Sequence, residues 1–513
     1  MLHDDSRSAD AEYLQKYGYK QQLDRKLGSF STFAAGFSYI SILTGAFQLF
    51  YVAFGFAGPA FLWTWPVVVI GQLAVGLCFA ELSAHHPLAG SVYAWSKQLA
   101  GRLVSFMAGW LMFIACTVTV AGVALAMQVV LPAISPVFQL VGDGTGTYDF
   151  AGNAVVLGSI LIIATTVINV VGVRLISIIN NIGVAVELVA SILLIVLLAI
   201  HVKRGPGVIT STAGHTSGGS GAIFGALLAS SLLATYILWG FDTAGSVAEE
   251  TIDPRRRSPR AIIQALLAAG ITGGLIMLFA MMAVGDVNAQ ELSVSGLPYV
   301  ITNVLGDVLG KIFLAAAATS IFVCCLTVQT GTVRIAFALA RDGALPKSEY
   351  LAKVSERTRT PVVPTLVVGV VAVVILLINI RQPQIFTVVT SVVVVLAYLA
   401  YLLVTVPMLV RRFGGRWPVA GRGDQEYFGL GRWGVPVNLV AIAMGLFAVV
   451  NMVWPRQEIY NPVAPFHWYL QWGGVITVAV VILAGLAIYV ARHRTTAAPA
   501  SAVGLTDRRE SVG

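Results

Sequence analysis

The sequence predicts an all-α integral membrane protein of twelve transmembrane helices. The first ten form a five-plus-five inverted repeat with helices 1 and 6 interrupted, and two C-terminal helices are added. Three observations lead there. Of 513 residues, 57% are apolar and only 11% are charged, a balance far from that of soluble domains. Apolar runs of the roughly 20 residues needed to span a bilayer recur along the whole chain. Two of those runs, five helices apart, carry glycine and polar residues at mid-depth.

Residues 1–28 are charged throughout and lack the apolar stretch of a signal peptide, so they read as a cytoplasmic N-terminal tail. Spans at 30–55, 61–84, 104–131, 151–172 and 177–201 place the first five-helix repeat over 29–202. Residues 203–220, KRGPGVITSTAGHTSGGS, form a Gly/Ser/Thr-rich extracellular linker. Spans at 221–247, 260–284, 309–340, 362–380 and 385–410 place the second repeat over 221–411. Because five is odd, the second unit crosses the membrane in the opposite sense, the condition for an inverted repeat. A cytoplasmic loop, 412–435, precedes transmembrane helices 11 and 12 within 436–491, at 436–454 and 470–491, and 492–513 reads as a disordered cytoplasmic tail.

Charge placement orients the bundle. Of 32 Lys and Arg residues, Lys203, Arg204, Lys311, Arg381 and Arg456 fall on one side, so 32 less 5 leaves 27 on the side of the termini. The positive-inside rule then puts both termini in the cytoplasm. The net charge of +8 is a topology signal, and it implies the lipid bilayer as partner and no nucleic acid. Cys78, Cys116, Cys324 and Cys325 lie within apolar runs without metal-ligand spacing, so neither a metal site nor a disulfide framework is implied. No HExxH, GxSxG or P-loop pattern is present, which leaves no catalytic residues and no cofactor to assign.

The two interruptions carry the functional reading. SYISILTG sets Ser38, Ser41, Thr44 and Gly45 midway along the first span, and the sixth span sets Gly240, Phe241, Asp242, Thr243, Ala244 and Gly245 at the matching depth. Glycine inside a helix costs about 1 kcal/mol relative to alanine, and Asp at a helix centre in lipid costs about 2.5–3.5 kcal/mol. Irregular backbone at this depth is tolerated only where protein or a watery cavity satisfies it. Gly240 and Gly245 also admit a packing role, with Asp242 capping a local turn; the paired break near Thr44 favours a substrate site. Glu187 is an isolated carboxylate inside the fifth span. It reads either as a proton-coupling group, since a low-dielectric site disfavours its charged form, or as a structural hydrogen-bonding partner of Asn180, Asn181 or another helix. In EETIDPRRRSPRAI, Ser258 is the expected N-cap and Pro259 the first residue of helix 7. Glu249 and Glu250 read either as gating partners of the arginines in that run or as a solvated charge cluster.

Three passages, SYISILTG, FAELSAHHPLAGSVYAWSKQLAG and GFDTAGSVAEETIDPRRRSPRAI, resemble the amino acid-polyamine-organocation transporter superfamily, most closely its amino acid/choline branch of GABA and choline permeases. With the twelve-span layout, the resemblance covers nearly the whole chain. It departs at Ser91, where many relatives have a second glycine after Gly90. It implies a substrate held between unwound parts of helices 1 and 6, which match Ser41, Ile42, Leu43, Thr44 and Gly45, and Gly240 to Gly245. Free N–H groups at one half-helix start and carbonyls at another half-helix end would bind a carboxylate and an ammonium. Related transporters often carry a lysine where Glu187 stands, and more distant ones bind sodium through hydroxyls such as those of Thr319 and Ser320, although such hydroxyls also bond back to the preceding turn.

The resemblance implies a secondary active transporter and no enzyme. Its substrate would be an amino acid or related amine, GABA-like, choline or a polyamine, moved across the plasma membrane by alternating access with H+ coupling. Exchange, Na+-coupled symport, and a non-transporting membrane sensor of the same fold are the alternatives. A sensor would be expected to append a sizeable soluble domain. A membrane enzyme would need clustered His, Asp or Glu at one depth, where the deep carboxylates are Asp242 and Glu187 alone.

Overall fold

A computed structural model describes residues 27–216, 220–356, 358, 360–378, 380–381, 385–418, 427–460 and 466–496. Most of the expected N-terminal tail, the far C-terminal tail and the middle of the 412–435 loop lie outside these. The regular elements among the described residues are helices, with one isolated bridge between Leu27 and Thr251.

The first traversal is split into α1 (Ser29–Ile40) and α2 (Ile42–Ala57). It is followed by α3 (Thr64–His85), α4 (Ser91–Leu99), α5 (Arg102–Leu125), α6 (Met127–Ile134), α7 (Asp149–Val171) and α8 (Val173–Ile200). The second half begins with α9 (Ser220–Ile237) and the short α10 (Thr243–Ser246), and continues through α11 (Pro254–Ala283), α12 (Leu297–Arg341), α13 (Val362–Ile378) and α14 (Ile385–Phe413). The last two spans are α15 (Gly434–Val453) and α16 (Gly473–Thr496). Among the described residues, ten helical stretches are long and apolar enough to cross a membrane. One of them, Ser29–His85, is 57 residues long and holds two traversals, and α13 is a shorter apolar helix. Twelve traversals result.

Burial explains why these apolar helices gather as they do. Along α8, Asn180, Val184, Glu187, Ser191, Leu194 and Leu198 are buried while Ile178, Ile182, Val189 and Val196 are exposed. The buried positions recur every three or four residues, so one stripe faces the bundle and the remainder faces lipid. The mid-span polar residues of α8, Glu187 and Ser191, thus lie on the protein-facing stripe.

The packing has internal symmetry. α3 packs on α11 and α7 on α13; α5 packs on α14 as α12 packs on α8; α1 packs on α11 as α9 packs on α3. α7 leans on α12 as α13 leans on α5, and α1 touches α8 as α9 touches α14. Exchanging each helix for the one five traversals away maps one set of contacts onto the other, which is the five-plus-five inverted repeat. α15 and α16 pack outside this core, chiefly on α3, α5 and α14.

Three details differ from the sequence expectation. Helix 7 starts at Pro254, after Asp253, and Pro259 lies inside it with Ser258 buried. Either proline could open a helix, because a first-turn proline has no N–H to lose; the earlier one does so here, and the three arginines become part of the helix. The linker from Lys203 is not free chain: Pro206–Thr210 is helical and packs against the Gly58–Trp63 turn, with the Ala60 N–H on the Ser211 carbonyl at 3.1 Å. The eighth span belongs to a longer helix that begins at Leu297 and is kinked at Gly306.

Candidate functional site

The break in the first traversal is one residue wide. Ser41 has φ 36° and ψ 90°, between α1 and α2. Its hydroxyl lies 2.6 Å from the Thr44 hydroxyl and donates to Glu187 Oε1 at 2.9 Å. The first intrahelical bond of α2 runs from the Gly45 N–H to the Ser41 carbonyl, so the amides of residues 42 to 44 have no partner within the helix. One of them, Leu43 N–H, donates to Glu187 Oε1 at 3.2 Å. Glu187, 1% exposed, thus places a carboxylate at the positive end of a buried half-helix. Asn180 and Asn181 are not its partners: Thr327 donates to Asn180, and Asn181 donates to Ser31.

The break in the sixth traversal is wider, from Leu238 to Asp242. Gly240 has φ +85°, and a Cβ there would stand 2.0 Å from the Tyr39 ring, so both backbone and space require glycine. Its N–H donates to the Tyr401 hydroxyl at 3.0 Å, which in turn donates to Asp242 Oδ1 at 2.6 Å. Asp242 Oδ2 accepts from the Ser91 hydroxyl at 2.7 Å. Ser91 itself has φ 29°, a conformation that glycine adopts more readily. Its side chain supplies the bond that a glycine would lack.

The other expected residues are positioned as follows. Gly45 lets α2 meet Ile237, and Gly245 lets α10 meet Trp95; a Cβ at these glycines would come within 2.3 and 2.8 Å of those side chains. Phe241 is buried among Phe79 and Tyr401. Ala244 packs near Gly36, and Ile42 and Leu43 are buried in the core. Thr243 lines a cleft. Ser320 is buried, with its hydroxyl on the Ala316 carbonyl. Thr319 lies on the exposed face and its hydroxyl returns to the Ala315 carbonyl at 2.9 Å. The structure therefore brings Ser41, Thr44 and Glu187 together and gathers Gly240 and Asp242 around Tyr401. Thr319 joins neither group. Among the described residues no cluster of His, Cys, Asp or Glu has the makings of a metal site.

A cleft of about 460 Å³ enters from the Leu27 end of the bundle, between α1, α8, α10 and α12, lined among others by Ser31, Asn180, Thr243, Thr327 and Arg334. A neighbouring cleft of about 540 Å³ shares Ile176, Glu250, Thr330 and Arg334 with it. Their common wall is the Glu250–Arg334 ion pair at 2.9 Å. Glu249 accepts from the Ala89 N–H at 3.0 Å and lies 3.8 Å from Arg341. Both glutamates are buried and pair with arginines of α12, so they are not a solvated charge cluster. Those two partners are separated by over eighty residues, so only folding reveals them.

Sequence reasoning also missed Tyr401, Tyr39, Gln48 and Tyr236. Tyrosines inside apolar spans carry little signal on their own. Gln48 in GAFQLF does carry one, as a lone amide in an apolar run.

A family model described as "Amino acid permease" matches residues 27–483. The Arabidopsis thaliana amino-acid permease BAT1 is 29% identical over 365 residues, covering 67% of this chain and 70% of its own length. The branched-chain amino acid permease BcaP of Bacillus subtilis is 27% identical over 368 residues, covering 68% and 74%. Among solved structures, MhsT in complex with L-phenylalanine superposes with a TM-score of 0.60 at 14% identity, over 84% of this chain and 98% of that one.

Proposed function

The chain belongs to the amino acid permease family, and on that premise we propose that it is a proton-coupled secondary transporter for an amino acid or related amine. It works by alternating access in the plasma membrane with both termini cytoplasmic, so that the cleft beside α1 and α8 opens to the cytoplasm.

One observation carries this reading: Glu187 is hydrogen-bonded to Ser41 and to the Leu43 N–H. The start of α2 is the natural seat for a substrate carboxylate, and an ionised Glu187 fills it. Two carboxylates at one half-helix end repel each other, so substrate and ionised Glu187 compete. Protonation of Glu187 weakens its hold as an acceptor and leaves the amides to the substrate. Proton and substrate then load together, and departure of the substrate into the cleft lets Glu187 release its proton and reseat. Asp242, with both oxygens engaged by protein hydroxyls, acts as a strut of the sixth-traversal break and leaves the substrate ammonium to other acceptors. The hydroxyls of Thr319 and Ser320 both close on their own helix, which favours the proton over sodium.

The test is uptake into proteoliposomes of radiolabelled L-leucine, L-phenylalanine and GABA across pH 5 to 8. Glu187→Gln keeps size and hydrogen bonding and removes the titration. We expect its uptake to become independent of pH and of an imposed proton gradient while binding persists. A pH profile equal to that of the unmodified protein would overturn proton coupling through Glu187.

A further inference from the structure

The cleft of about 540 Å³ is chemically lopsided. Its sides are apolar: Ile176 of α8, Val333 and Phe337 of α12, and Val354 and Pro361 of the connection from α12 to α13. Its hydroxyls and amide are engaged with the protein. Thr330 donates to Asn169 at 2.7 Å, and the Thr360 and Thr365 hydroxyls donate to the carbonyls of Val170 and Pro361. What the cleft offers a polar ligand is therefore the Glu250–Arg334 pair at its edge. That edge is anchored from behind, since the Glu250 carbonyl accepts from the Leu27 N–H at 2.9 Å.

The pair leaves capacity on both partners. A single guanidinium nitrogen, Nη2, meets the carboxylate, 2.9 Å from Oε1 and 3.1 Å from Oε2. Among the described residues, no hydrogen bond engages Arg334 Nε or Nη1. A guanidinium carries five N–H donors in a rigid fork and a carboxylate has about four lone-pair sites. Arg334 can therefore take a second carboxylate while Glu250 still accepts from an ammonium. A lone anion would be repelled by Glu250 and a lone cation by Arg334, whereas a ligand with both charges meets an opposite charge at each end. We propose that this cleft is a second binding site for a zwitterionic amino acid with an apolar side chain. Its carboxylate lies on Arg334, its ammonium on Glu250, and its side chain between Val333, Phe337 and Pro361.

This site is distinct from the break in the first traversal. Cys324 of α12 lies beside that break, its thiol on the Tyr39 carbonyl at 3.5 Å. Arg334 stands ten residues further along the same helix, about 15 Å of helix rise. The head group of one amino acid cannot bridge that separation, so the two seats fill independently. The adjoining 460 Å³ cleft joins them, because it is lined by Asn180 and Thr327 and also by Glu250 and Arg334. A substrate leaving the break by that cleft passes the ion pair and can lodge its side chain in the apolar cleft behind it. The inference rests on the amino acid transport proposed above and adds a station on its exit route.

Equilibrium binding of radiolabelled L-leucine and L-phenylalanine to the purified full-length protein, with the bound equivalents counted, tests the site. We expect two equivalents per chain. Val354→Trp fills the cleft from a residue that is 37% exposed and leaves both charges in place; it should leave one equivalent. Glu250→Gln keeps the shape and removes the ammonium's counter-charge, and should weaken one of the two equivalents at least tenfold. Thr44→Trp, which crowds the first-traversal break, should leave the cleft equivalent alone. In that variant 4-methylpentanoate and 3-methylbutylamine, each lacking one of the two charges of leucine, should compete at least tenfold more weakly than leucine. One equivalent or none in the unmodified protein, or two that survive both Val354→Trp and Glu250→Gln, overturns the cleft site. Saturable amino acid uptake by the same protein in vesicles then shows that the permease reading stands, and its absence for every amino acid overturns that reading as well.

Discussion

Asp242 is the residue whose role changes most once its neighbours are known. In the sequence it is a carboxylate between glycines at membrane depth; in the fold its two oxygens accept from Ser91 and Tyr401, and Tyr401 also receives the Gly240 N–H. Neither partner was legible, because Ser91 is 151 residues away and Tyr401 is 159. Tyr401→Phe removes a bond to a charged group and leaves a buried N–H unpaired, together costing about 2–4 kcal/mol by the usual scale of such losses. We expect a lower melting temperature and a loss of transport by the same factor for every substrate. Asp242→Asn, which keeps one acceptor and the shape, should likewise act evenly across substrates of different charge. A loss graded with the positive charge of the substrate, measured by competition with neutral and cationic amino acids, would instead make Asp242 a direct ligand.

Among elements, the join between α3 and the segment after α14 stands out. Glu81, fully buried, takes the Arg412 guanidinium, the Trp417 indole N–H at 3.1 Å and the Leu430 N–H at 3.0 Å. His85 and His86 pack against the Trp417 ring. Residues near both ends of the expected 412–435 loop are therefore fastened to α3 near its end. Removing one partner of a buried ion pair strands the other charge and typically costs about 3–5 kcal/mol. Arg412→Met should lower the melting temperature sharply, and adding Glu81→Leu should recover much of the loss. A single variant as stable as the parent would mean that the pair carries no such load. Nothing local in the sequence joins Glu81 to Arg412, since their pairing crosses 331 residues. The traversals themselves were legible because hydropathy is a local property. Their ends were less so: two prolines five residues apart both satisfied the rule for opening helix 7, and local rules alone could not choose between them.

For the whole molecule, the 27-to-5 division of Lys and Arg means that reporter fusions at residues 215 and 425 should mark opposite sides of the membrane. Agreement between them would refute the orientation. The inverted repeat was legible only as an odd helix count and two interruptions, since the halves share no evident residue-level similarity. Its proof lies in contacts that interchange when each helix is swapped for its counterpart. Under the alternating access proposed above, that swap maps one conformation onto the other. It sends the walls of the Leu27-side cleft, α1, α8, α10 and α12, to α9, α14, α2 and α5. Tyr236, Val389, Gln48 and Gly122 belong to those four helices, one to each. On the transporter reading proposed above, the same swap names these four helices as the walls of the opposite doorway.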